Sequence, residues 1–217
     1  MMQPGPGRPR LESRRRRGST PRAEILDAAA ELFTTRGYAS TSTRAIADAV
    51  GIRQASLYHH FGAKDDILDA LLSETISAPL DLATLLDATQ EPPEVRLYAL
   101  AWFDVRQLCA ARWNLGALYL LPELRSERFA EFRLRRAELR ERYERLAAAV
   151  ATGSAADAHT LPFRLVESVI NIRSDEGAAP DEADHLIPDT VLRMLGWRHD
   201  PVPVRAAAAD LLDRLTG

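Results

Sequence analysis

The 217-residue sequence lacks the features of secreted, disulfide-stabilised and membrane-spanning proteins. No apolar run approaches the roughly 20 residues that a membrane-spanning helix needs. The arginine-rich N-terminus has no hydrophobic core of the kind that signal peptides carry. The single cysteine, Cys109, cannot form an intramolecular disulfide, and this suits a reducing compartment. We therefore expect a cytoplasmic protein that does not bind membranes.

Catalytic and metal-binding motifs are also missing. The chain has no glycine-rich phosphate loop, no Gly-x-Ser-x-Gly and no His-Glu-x-x-His. Cys109 lies in no catalytic signature, so we interpret it as a small buried side chain, with a redox sensor as the alternative. His59 and His60 resemble a metal-binding pair, but adjacent residues of a helix do not share a face, which favours one histidine that faces DNA and one that packs inward. The sequence predicts neither an enzyme nor a metal or cofactor site.

The signals of β-structure are absent as well. The sequence shows neither an alternating polar and apolar pattern nor an Asn-Gly hairpin turn. Apolar residues recur instead at the helical spacings of three and four. Hydrophobic residues make up 46% of the chain and charged residues 27%, which is typical of a folded globular protein. We therefore predict an all-α fold.

The net charge of −3 would by itself argue against a protein that binds nucleic acids. The charge is, however, unevenly distributed. Residues 1–62 contain ten arginines and five acidic residues, a net charge of +5. The remainder contains eighteen basic and twenty-six acidic residues, a net charge of −8. This asymmetry is typical of a small DNA-binding domain joined to a larger domain that does not bind DNA.

The most informative stretch is residues 41–64, whose pattern predicts two short helices joined by a tight turn. Thr41 or Ser42 can cap the first helix. Gly51 ends it, because glycine adopts a left-handed conformation without Cβ strain. The second helix is predicted at about residues 54–60. The apolar positions that would join the two helices are Ile46, Ala47, Val50, Leu57 and Phe61. Such a pair is a helix-turn-helix, whose second helix fits the major groove of DNA.

This spacing resembles the DNA-binding domain of the TetR family of transcriptional repressors. The resemblance covers roughly residues 22–70 and includes the preceding helix. It is carried by Ala29, Leu32-Phe33, Gly37-Tyr38, Ile46-Ala47, Gly51-Ile52, Leu57-Tyr58-His59-His60-Phe61 and Lys64. Arg53 stands where the family usually has a small capping residue, and Gln54 stands where Lys or Ser is common. These departures concern the preferred DNA sequence rather than the fold.

The resemblance implies an N-terminal three-helix helix-turn-helix head followed by a C-terminal helical ligand-binding and dimerisation domain. We predict three regions: a disordered basic arm at residues 1–19, a DNA-binding domain at 20–64 and a helical domain at 65–217. In the helical domain, Pro79 is expected to kink or break the first helix. Helices are predicted at residues 20–36, 64–86, 94–112, 114–121, 123–151 (the longest), 161–174, 188–196 and from 200 onward.

The predicted DNA contacts centre on the N-terminal end of the second helix, which meets base edges in this motif. Arg53 could read guanine and Gln54 could read adenine. The polar side chains around them are expected to bind phosphates, as the matching positions of the resembled family do. The full predicted set is Thr41, Thr43, Arg44, Arg53, Gln54, Ala55, Ser56, Tyr58, His59 and Lys64.

Aromatic residues concentrate in the middle of the chain, where they favour the wall of a ligand cavity, with plain core packing as the alternative. Small-molecule sites are mostly apolar and contain few polar groups. The effector should therefore be mainly hydrophobic or aromatic, with one carbonyl, hydroxyl or acid group. The predicted ligand-binding set is Trp102, Phe103, Arg106, Trp113, Tyr119, Phe163, Val166 and Asn171.

Two C-terminal stretches carry more apolar positions than a thin outer layer needs, which favours a self-complementary four-helix interface in a homodimer. The predicted interface residues are Leu165, Val169, Val191, Leu192 and Leu195. The charged run at residues 133–145 follows another pattern, with glutamates four residues before arginines. We interpret this run, in which Arg136 interrupts the apolar spacing, as a solvated helix face rather than a second nucleic-acid surface.

The family resemblance implies a ligand-responsive repressor that binds double-stranded operator DNA. Two recognition helices of a dimer would lie about one DNA turn apart, ~34–36 Å, on a palindromic operator. A small molecule bound in the C-terminal domain would shift the helix that begins at Lys64. One alternative is a constitutive DNA-binding regulator without an effector. The other, of a different class, is a small-molecule carrier or an enzyme that uses the cavity of the C-terminal domain.

Overall fold

A computed structural model describes residues 20–217, apart from the side chains of Ser154 and Ala156. The predicted disordered arm at residues 1–19 lies outside these residues. The chain divides into two compact units, Met1–Leu68 and Asp69–Gly217, which we call the head and the body. In residues 20–217 the regular structure is helical and no strand occurs, which confirms the predicted all-α fold.

The helices follow one another with short connections. The first four are α1 (Pro21–Arg36), α2 (Thr43–Val50), α3 (Gln54–Tyr58) and α4 (Lys64–Asp87). The others are α5 (Pro93–Ala110), α6 (Ala130–Val150), α7 (Pro162–Glu176), α8 (Ala183–Met194) and α9 (Pro201–Thr216). None of the helices in residues 20–217 combines the length and the apolar character that a bilayer crossing requires.

Local capping sets the ends of the first helices of the head. The Oγ1 of Thr20 accepts from the N–H of Ala23 at 3.2 Å, and the Oγ of Ser42 accepts from that of Ala45 at 3.1 Å. Gly51 has a φ of 77°, and its N–H donates to carbonyl oxygens in the last turn of α2. The caps and the glycine stop were therefore predicted correctly, with Ser42 rather than Thr41 as the cap.

The head core is formed by apolar side chains from α1 to the start of α4. The buried residues include Ile25, Ala29, Leu32, Phe33, Ile46, Ala47, Val50, Leu57, Phe61, Ile67 and Leu68. The recognition helix α3 ends at Tyr58, two residues earlier than predicted. The chain turns there, and the turn places Phe61 in the core, where its side chain is 5% exposed.

In the body, α5 is the central helix and packs against α6, α7, α8 and α9. Half of its side chains are buried, as expected of a helix that others surround. They include Leu97, Tyr98, Leu100, Ala101, Asp104 and Val105. A carboxylate in such a place requires a polar partner.

The segment before α6 differs from the prediction of one long helix at 123–151. Residues 115–129 form consecutive 3₁₀ turns, which we call the 3₁₀ segment: Leu115–Leu120, Pro122–Arg125 and Glu127–Phe129. Arg133 holds this segment, since its Nη1 donates to the carbonyl oxygens of Leu124 and Ser126. These carbonyls would otherwise lack a helical partner. Consequently α6 has 21 residues, and α4 with 24 is longer.

Two prolines lie inside helices, although we had expected Pro188 to start a helix and Pro79 to kink or break one. Pro188 lies within α8, which begins at Ala183, and α4 continues through Pro79. Proline has no N–H, so Pro79 leaves the carbonyl of Thr75, four residues earlier, without its helical donor. The Nε2 of Gln107 in α5 donates to this carbonyl at 3.1 Å. A bond between helices thus replaces the missing bond within α4.

Candidate functional site

The N-terminal end of α3 forms an exposed surface of the head. Arg53, Gln54 and Ala55 are exposed, and Ser56 is half-buried. Leu57 is fully buried and anchors the helix to the head core. Arg53 occupies the N-cap position, but its side chain makes no capping hydrogen bond. The guanidinium is therefore not needed to hold the helix, and this exposure is what contact with base edges requires.

Two neighbours hold the side chain of Gln54. Its Nε2 donates to Thr43 Oγ1 at 2.9 Å and lies 3.4 Å from the Tyr58 hydroxyl oxygen. The hydroxyls of Thr43 and Tyr58 are 3.1 Å apart. Because the amide nitrogen is engaged, the Oε1 of Gln54 remains as an acceptor. Adenine N6 and cytosine N4 are the base donors in the major groove that could meet it.

Arg44 and His59 also lie on the surface of the head. The Arg44 side chain is 80% exposed, and its Nε lies 4.0 Å from a carboxylate oxygen of Asp48 in the next turn. Such exposed pairs contribute little energy, so the guanidinium can exchange this partner for a phosphate. His59 directly follows α3 and is exposed.

Thr41 and Lys64, which were predicted to bind phosphates, make hydrogen bonds within the head. Thr41 is 2% exposed, and its hydroxyl donates to the carbonyl oxygen of Gly37 at 2.9 Å. The Nζ of Lys64 donates to the carbonyl oxygens of Tyr38 at 2.9 Å and Thr41 at 3.0 Å. It also lies 4.1 Å from the centroid of the Tyr38 ring. Both polar groups stabilise the α1–α2 connection, because backbone carbonyls there lack helical partners.

In the body, the predicted single aromatic cavity is divided. Trp102, Arg106 and Cys109 recur at i, i+4 and i+7, so they share one face of α5. The Trp102 Nε1 donates to Asp184 at the start of α8 at 3.2 Å. Arg106 and Cys109 line a cleft of about 420 Å³ on this side. This face is separate from the cavities that Tyr119 lines.

Three further predicted ligand residues also lie outside the cavities around Tyr119. Phe103 and Trp113 are half-buried, and Val166 is completely buried. None of the three lines the cavities described below. The side chain of Val166 packs in the core of the body, which was the alternative to a place in the cavity wall.

Arg136 of α6 is the centre of a polar cluster in the body. Its Nε donates to Glu167 Oε1 at 3.0 Å, and its Nη2 donates to Oε2 at 2.6 Å. The guanidinium lies 5.1 Å from the ring centroid of Tyr119 and 5.3 Å from that of Phe163. A planar guanidinium suits both contacts, because it forms paired hydrogen bonds in its plane and stacks on aromatic faces.

Tyr119 connects this cluster to α4. Its hydroxyl donates to Thr75 Oγ1 at 2.6 Å, and Thr75 Oγ1 donates to the carbonyl oxygen of Leu72, also at 2.6 Å. Burial raises the pKa of Tyr119 above its ordinary value, so the phenol keeps its proton. With Gln107 on its carbonyl, Thr75 is thus bound at both polar groups by residues from outside α4.

Tyr119 lines three cavities. One of about 510 Å³ lies between the 3₁₀ segment and α7, and another of about 320 Å³ lies between that segment and α6. A small void of about 10 Å³ extends inward to Asp104. The two larger volumes lie within the range of roughly 300–1,000 Å³ that small-molecule sites occupy. Tyr119, Phe163 and Asn171 are the predicted ligand residues that line these cavities.

Asp104 is a buried carboxyl beside the small void. Burial, with a smaller contribution from Glu167, raises the pKa of Asp104 to about 7, although the Tyr143 hydrogen bond lowers it. The Tyr143 hydroxyl lies 3.1 Å from Asp104 Oδ2 and 3.2 Å from the carbonyl oxygen of Leu100. One hydroxyl proton cannot satisfy both acceptors. A protonated Asp104 removes the conflict, because it donates to Tyr143, which then donates to Leu100.

Four of the five predicted dimer residues lie in the core of the body, so the prediction was wrong for them. Val169, Val191 and Leu195 are completely buried, and Leu192 is 1% exposed. A side chain already buried in its own protomer cannot be buried again against a partner. Leu165 differs, because it is half-buried and lies on the outer face of α7.

The outer face of α7 does carry an apolar stripe. Leu161, just before the helix, is 48% exposed. Leu165, Ser168 and Ile172 follow at i+4, i+7 and i+11, and all three are half-buried. On the next helix, Leu186 is 54% exposed. These side chains form the surface that a partner helix could cover.

Comparison with known proteins identifies the family. The family described as bacterial regulatory proteins, tetR family, matches residues 25–71. The crystal structure of AmtR from Mycobacterium smegmatis is 59% identical and superposes with a TM-score of 0.88. This match covers 93% of the present chain and 98% of the AmtR chain. The chain belongs to the TetR family.

Other proteins similar to this TetR-family protein either match over a shorter stretch or have a lower sequence identity. The transcriptional repressor KstR2 of Rhodococcus jostii (strain RHA1) is 53% identical over 51 residues, which are 24% of this chain and 25% of KstR2. The match thus spans about a quarter of such curated relatives. AibR, solved in complex with isovaleryl coenzyme A and operator DNA, is 20% identical, with a TM-score of 0.61 over 82% of this chain and 99% of AibR. At this identity the likeness shows the fold alone.

The sequence predictions for this TetR-family protein missed Thr75, Asp104 and Glu167. Two signals were present. Arg136 interrupts the apolar spacing of α6, and Asp104 stands between Leu100 and Leu108 on an apolar stripe of α5. A polar residue at such a position needs a buried partner. The partners lie on other helices, and helical periodicity does not identify them.

Proposed function

We propose that the protein is a dimeric transcriptional repressor that binds a palindromic operator and leaves it when a small-molecule effector binds the body. The observation that carries the proposal is an exposed hydrogen-bonded group in a chain of the TetR family: Gln54 at the start of α3, Tyr58 at its end and Thr43 at the start of α2. Because a bacterial regulator acts on genomic DNA, the proposed location of the protein is the cytoplasm.

The DNA contacts divide into base contacts and phosphate contacts. Arg53 and Gln54 contact base edges, with Ala55 and Ser56 beside them. The phosphates are bound by Thr43, Arg44, Tyr58 and His59. Thr43 and Tyr58 have two roles. Their hydroxyls orient Gln54, and they also contact the DNA backbone. Phosphate contacts fix the register of a protein on the duplex, and base contacts select the sequence.

The effector acts through Tyr119. Its hydroxyl bonds to Thr75 on α4, and α4 begins in the head and continues through the body. A ligand beside Tyr119 and Arg136 changes these contacts and thereby the position of α4. The change releases DNA only if the ligand binds the released conformation more tightly than the DNA-bound one.

The effector is a small molecule with an apolar part, because Tyr119 and Leu120 line both larger cavities together with polar groups. AibR, a distant structural neighbour, binds isovaleryl coenzyme A, in which an apolar acyl group is joined to a polar carrier. A regulator without an effector is the alternative, and the charged cluster around Arg136 argues against it. Burying ionic groups costs free energy, and a body that only had to fold does not require it.

Fluorescence anisotropy with labelled operator DNA tests the DNA-binding part of the proposal. Gln54→Ala should cost ~1–3 kcal/mol on the cognate operator and relax the preference at one base pair. Arg44→Ala should weaken all duplexes about equally, because a phosphate contact carries no base information. Thr35→Val is the matched control, since this exposed hydroxyl bonds only to its own helix. Loss of sequence preference in Arg44→Ala, with none in Gln54→Ala, would refute this division.

A further inference from the structure

Arginines converge on the 320 Å³ cavity between the 3₁₀ segment and α6, which we call the arginine cleft. Arg133, Arg136 and Arg140 recur at i, i+3 and i+7 of α6, so they share one face of the helix. Arg125 of the 3₁₀ segment joins them. Among the described residues that line the cleft, none is acidic. This is part of the charged run that the sequence pattern had assigned to a solvated helix face.

Two of these four guanidiniums lie close to a carboxylate. Arg136 is paired with Glu167. The Nε of Arg140 lies 3.4 Å from Glu144 Oε1, but it is buried and makes no hydrogen bond with a described residue. The contact therefore has the distance of an ion pair without the angle of a hydrogen bond. The pairing of Arg140 is incomplete.

The other two guanidiniums have no acidic partner. Arg133 donates to the carbonyl oxygens of Leu124 and Ser126, which are neutral. Arg125 is exposed and forms no ion pair with any residue in the described part of the chain. The cleft thus holds two positive charges in excess. Carboxylates and phosphates match the fork of an arginine with two parallel hydrogen bonds.

The rest of the cleft is apolar and aromatic. The rings of Tyr119 and Phe132 lie 5.6 Å apart, and Phe132 and Leu124 are buried beneath the arginines. The apolar lining residues are Leu120, Leu121, Leu124, Phe132 and Ala137. An inorganic anion would use only the arginines, whereas an organic anion would also cover these side chains and gain from their burial.

We propose that the arginine cleft binds a small organic anion, whose carboxylate or phosphate group contacts Arg125 and Arg133 while its apolar part packs on Tyr119 and Phe132. The inference rests on the proposed function in one respect, which is that this anion is the effector. Two features of the cleft fit that role. Tyr119 bonds to Thr75 of α4, and Arg133 holds the 3₁₀ segment. An anion that engages Arg133 alters the bonds that fix this segment.

Isothermal titration of the full-length protein tests the site with a matched series of probes: hexyl phosphate, hexanoate, hexanol, hexylamine and inorganic phosphate. We expect hexyl phosphate or hexanoate to bind at least about tenfold more tightly than hexanol or hexylamine, as a charge-assisted contact implies. Whichever of hexyl phosphate and hexanoate binds more tightly shows whether the site prefers a phosphate or a carboxylate group. Equal binding of hexanol, or binding of inorganic phosphate as tight as that of hexyl phosphate, overturns the inference.

Substitutions then locate the bound anion. Arg125→Gln and Arg133→Gln should each weaken its binding by about tenfold or more, by loss of a charged hydrogen bond. Arg145→Gln is the matched control on the same helix, because Arg145 pairs with Asp87 outside the cleft. Arg125→Gln keeps the test independent of folding, since Arg125 holds no other segment. Unchanged affinity in both cleft variants means that the anion binds elsewhere and the inference is wrong.

Operator binding separates this inference from the function proposed above. If the anion binds the cleft but leaves operator affinity unchanged, the site stands and its role as effector falls. If another compound releases the operator while no anion binds, the repressor proposal stands and the arginine cleft is wrongly assigned. If Arg125→Gln and Arg133→Gln weaken operator binding without any small molecule, these arginines serve DNA and the inference is overturned.

Discussion

Asp104 is a single residue whose ionisation changes the stability of the body. Its pKa is raised by burial to about 7, whereas an unfolded aspartate has a pKa of about 3.9. The folded state therefore holds a proton that the unfolded state has already lost between these pH values. The stability that Asp104 contributes is complete below about pH 4 and is lost as the pH rises through 7.

Asp104→Asn should remove this pH dependence, because the amide resembles the protonated carboxyl in shape and carries no charge. Between pH 5 and pH 8 the unfolding free energy of the wild type should fall by about 2 kcal/mol more than that of the variant. Urea unfolding at the two pH values measures the difference. Asp210→Asn, at an exposed site on α9, is the control. Parallel curves for the wild type and Asp104→Asn would show that Asp104 is ionised throughout.

Lys64 illustrates how one side chain can support a site by bonding to its backbone. Lys64→Met removes two hydrogen bonds to the carbonyl oxygens of Tyr38 and Thr41. We expect the unfolding free energy to fall by about 1–3 kcal/mol, since partly buried carbonyls lose a charged donor. Urea unfolding and operator titration should be compared with Arg36→Met, an exposed residue at the end of α1. Unchanged stability, with weaker binding to every duplex, would instead indicate a phosphate contact.

At the scale of elements, α4 depends on its neighbours for a hydrogen bond that it cannot make itself. Pro79 removes the N–H that would bond to the Thr75 carbonyl, and Gln107 of α5 replaces it. The hydroxyl of Thr75 in turn accepts a hydrogen bond from Tyr119 of the 3₁₀ segment. These contacts join α4 to α5, which borders the small void, and to the 3₁₀ segment, which borders the proposed effector cavities.

A double-mutant cycle measures this replacement. Gln107→Leu should cost about 1–3 kcal/mol of unfolding free energy, because the partly buried Thr75 carbonyl loses its donor. In a Pro79→Ala background the cost should be smaller, since the new N–H at position 79 can bond to Thr75 within the helix. Gln90→Leu, at an exposed site, is the control for added hydrophobicity. Equal costs in both backgrounds would mean that the two residues act independently.

At the scale of the whole molecule, the outer stripe of α7 predicts a dimer. Leu165→Glu with Ile172→Glu should produce a monomer, because two charges would be buried in an interface of apolar side chains. Analytical ultracentrifugation at micromolar concentration measures the state. Leu134→Glu is the matched control, since Leu134 is 70% exposed on α6. A dimer that survives the α7 substitutions must use another surface, and a monomeric wild type would contradict the operator geometry proposed here.

The sequence by itself determined the secondary structure of the head and the helical class of the body. Thr20, Ser42 and Gly51 act within one turn of the chain, so their effects are visible without tertiary structure. The burial of Ile46, Val50 and Leu57 also followed, because apolar side chains at helical spacing must face a core. The same local signals located α5, α7 and α9 to within a few residues.

Only the tertiary structure decided which surface each of the other side chains meets. Periodicity marked Val169 and Val191 as apolar but could not show that their own protomer covers them. The pairing of Arg136 with Glu167 spans two helices and 31 residues of sequence. The contacts of Thr41 and Lys64 depend on where the carbonyls of the α1–α2 connection lie. Such contacts form only when separate helices pack together. A local sequence pattern does not contain the positions of the other helices, so it cannot predict these contacts.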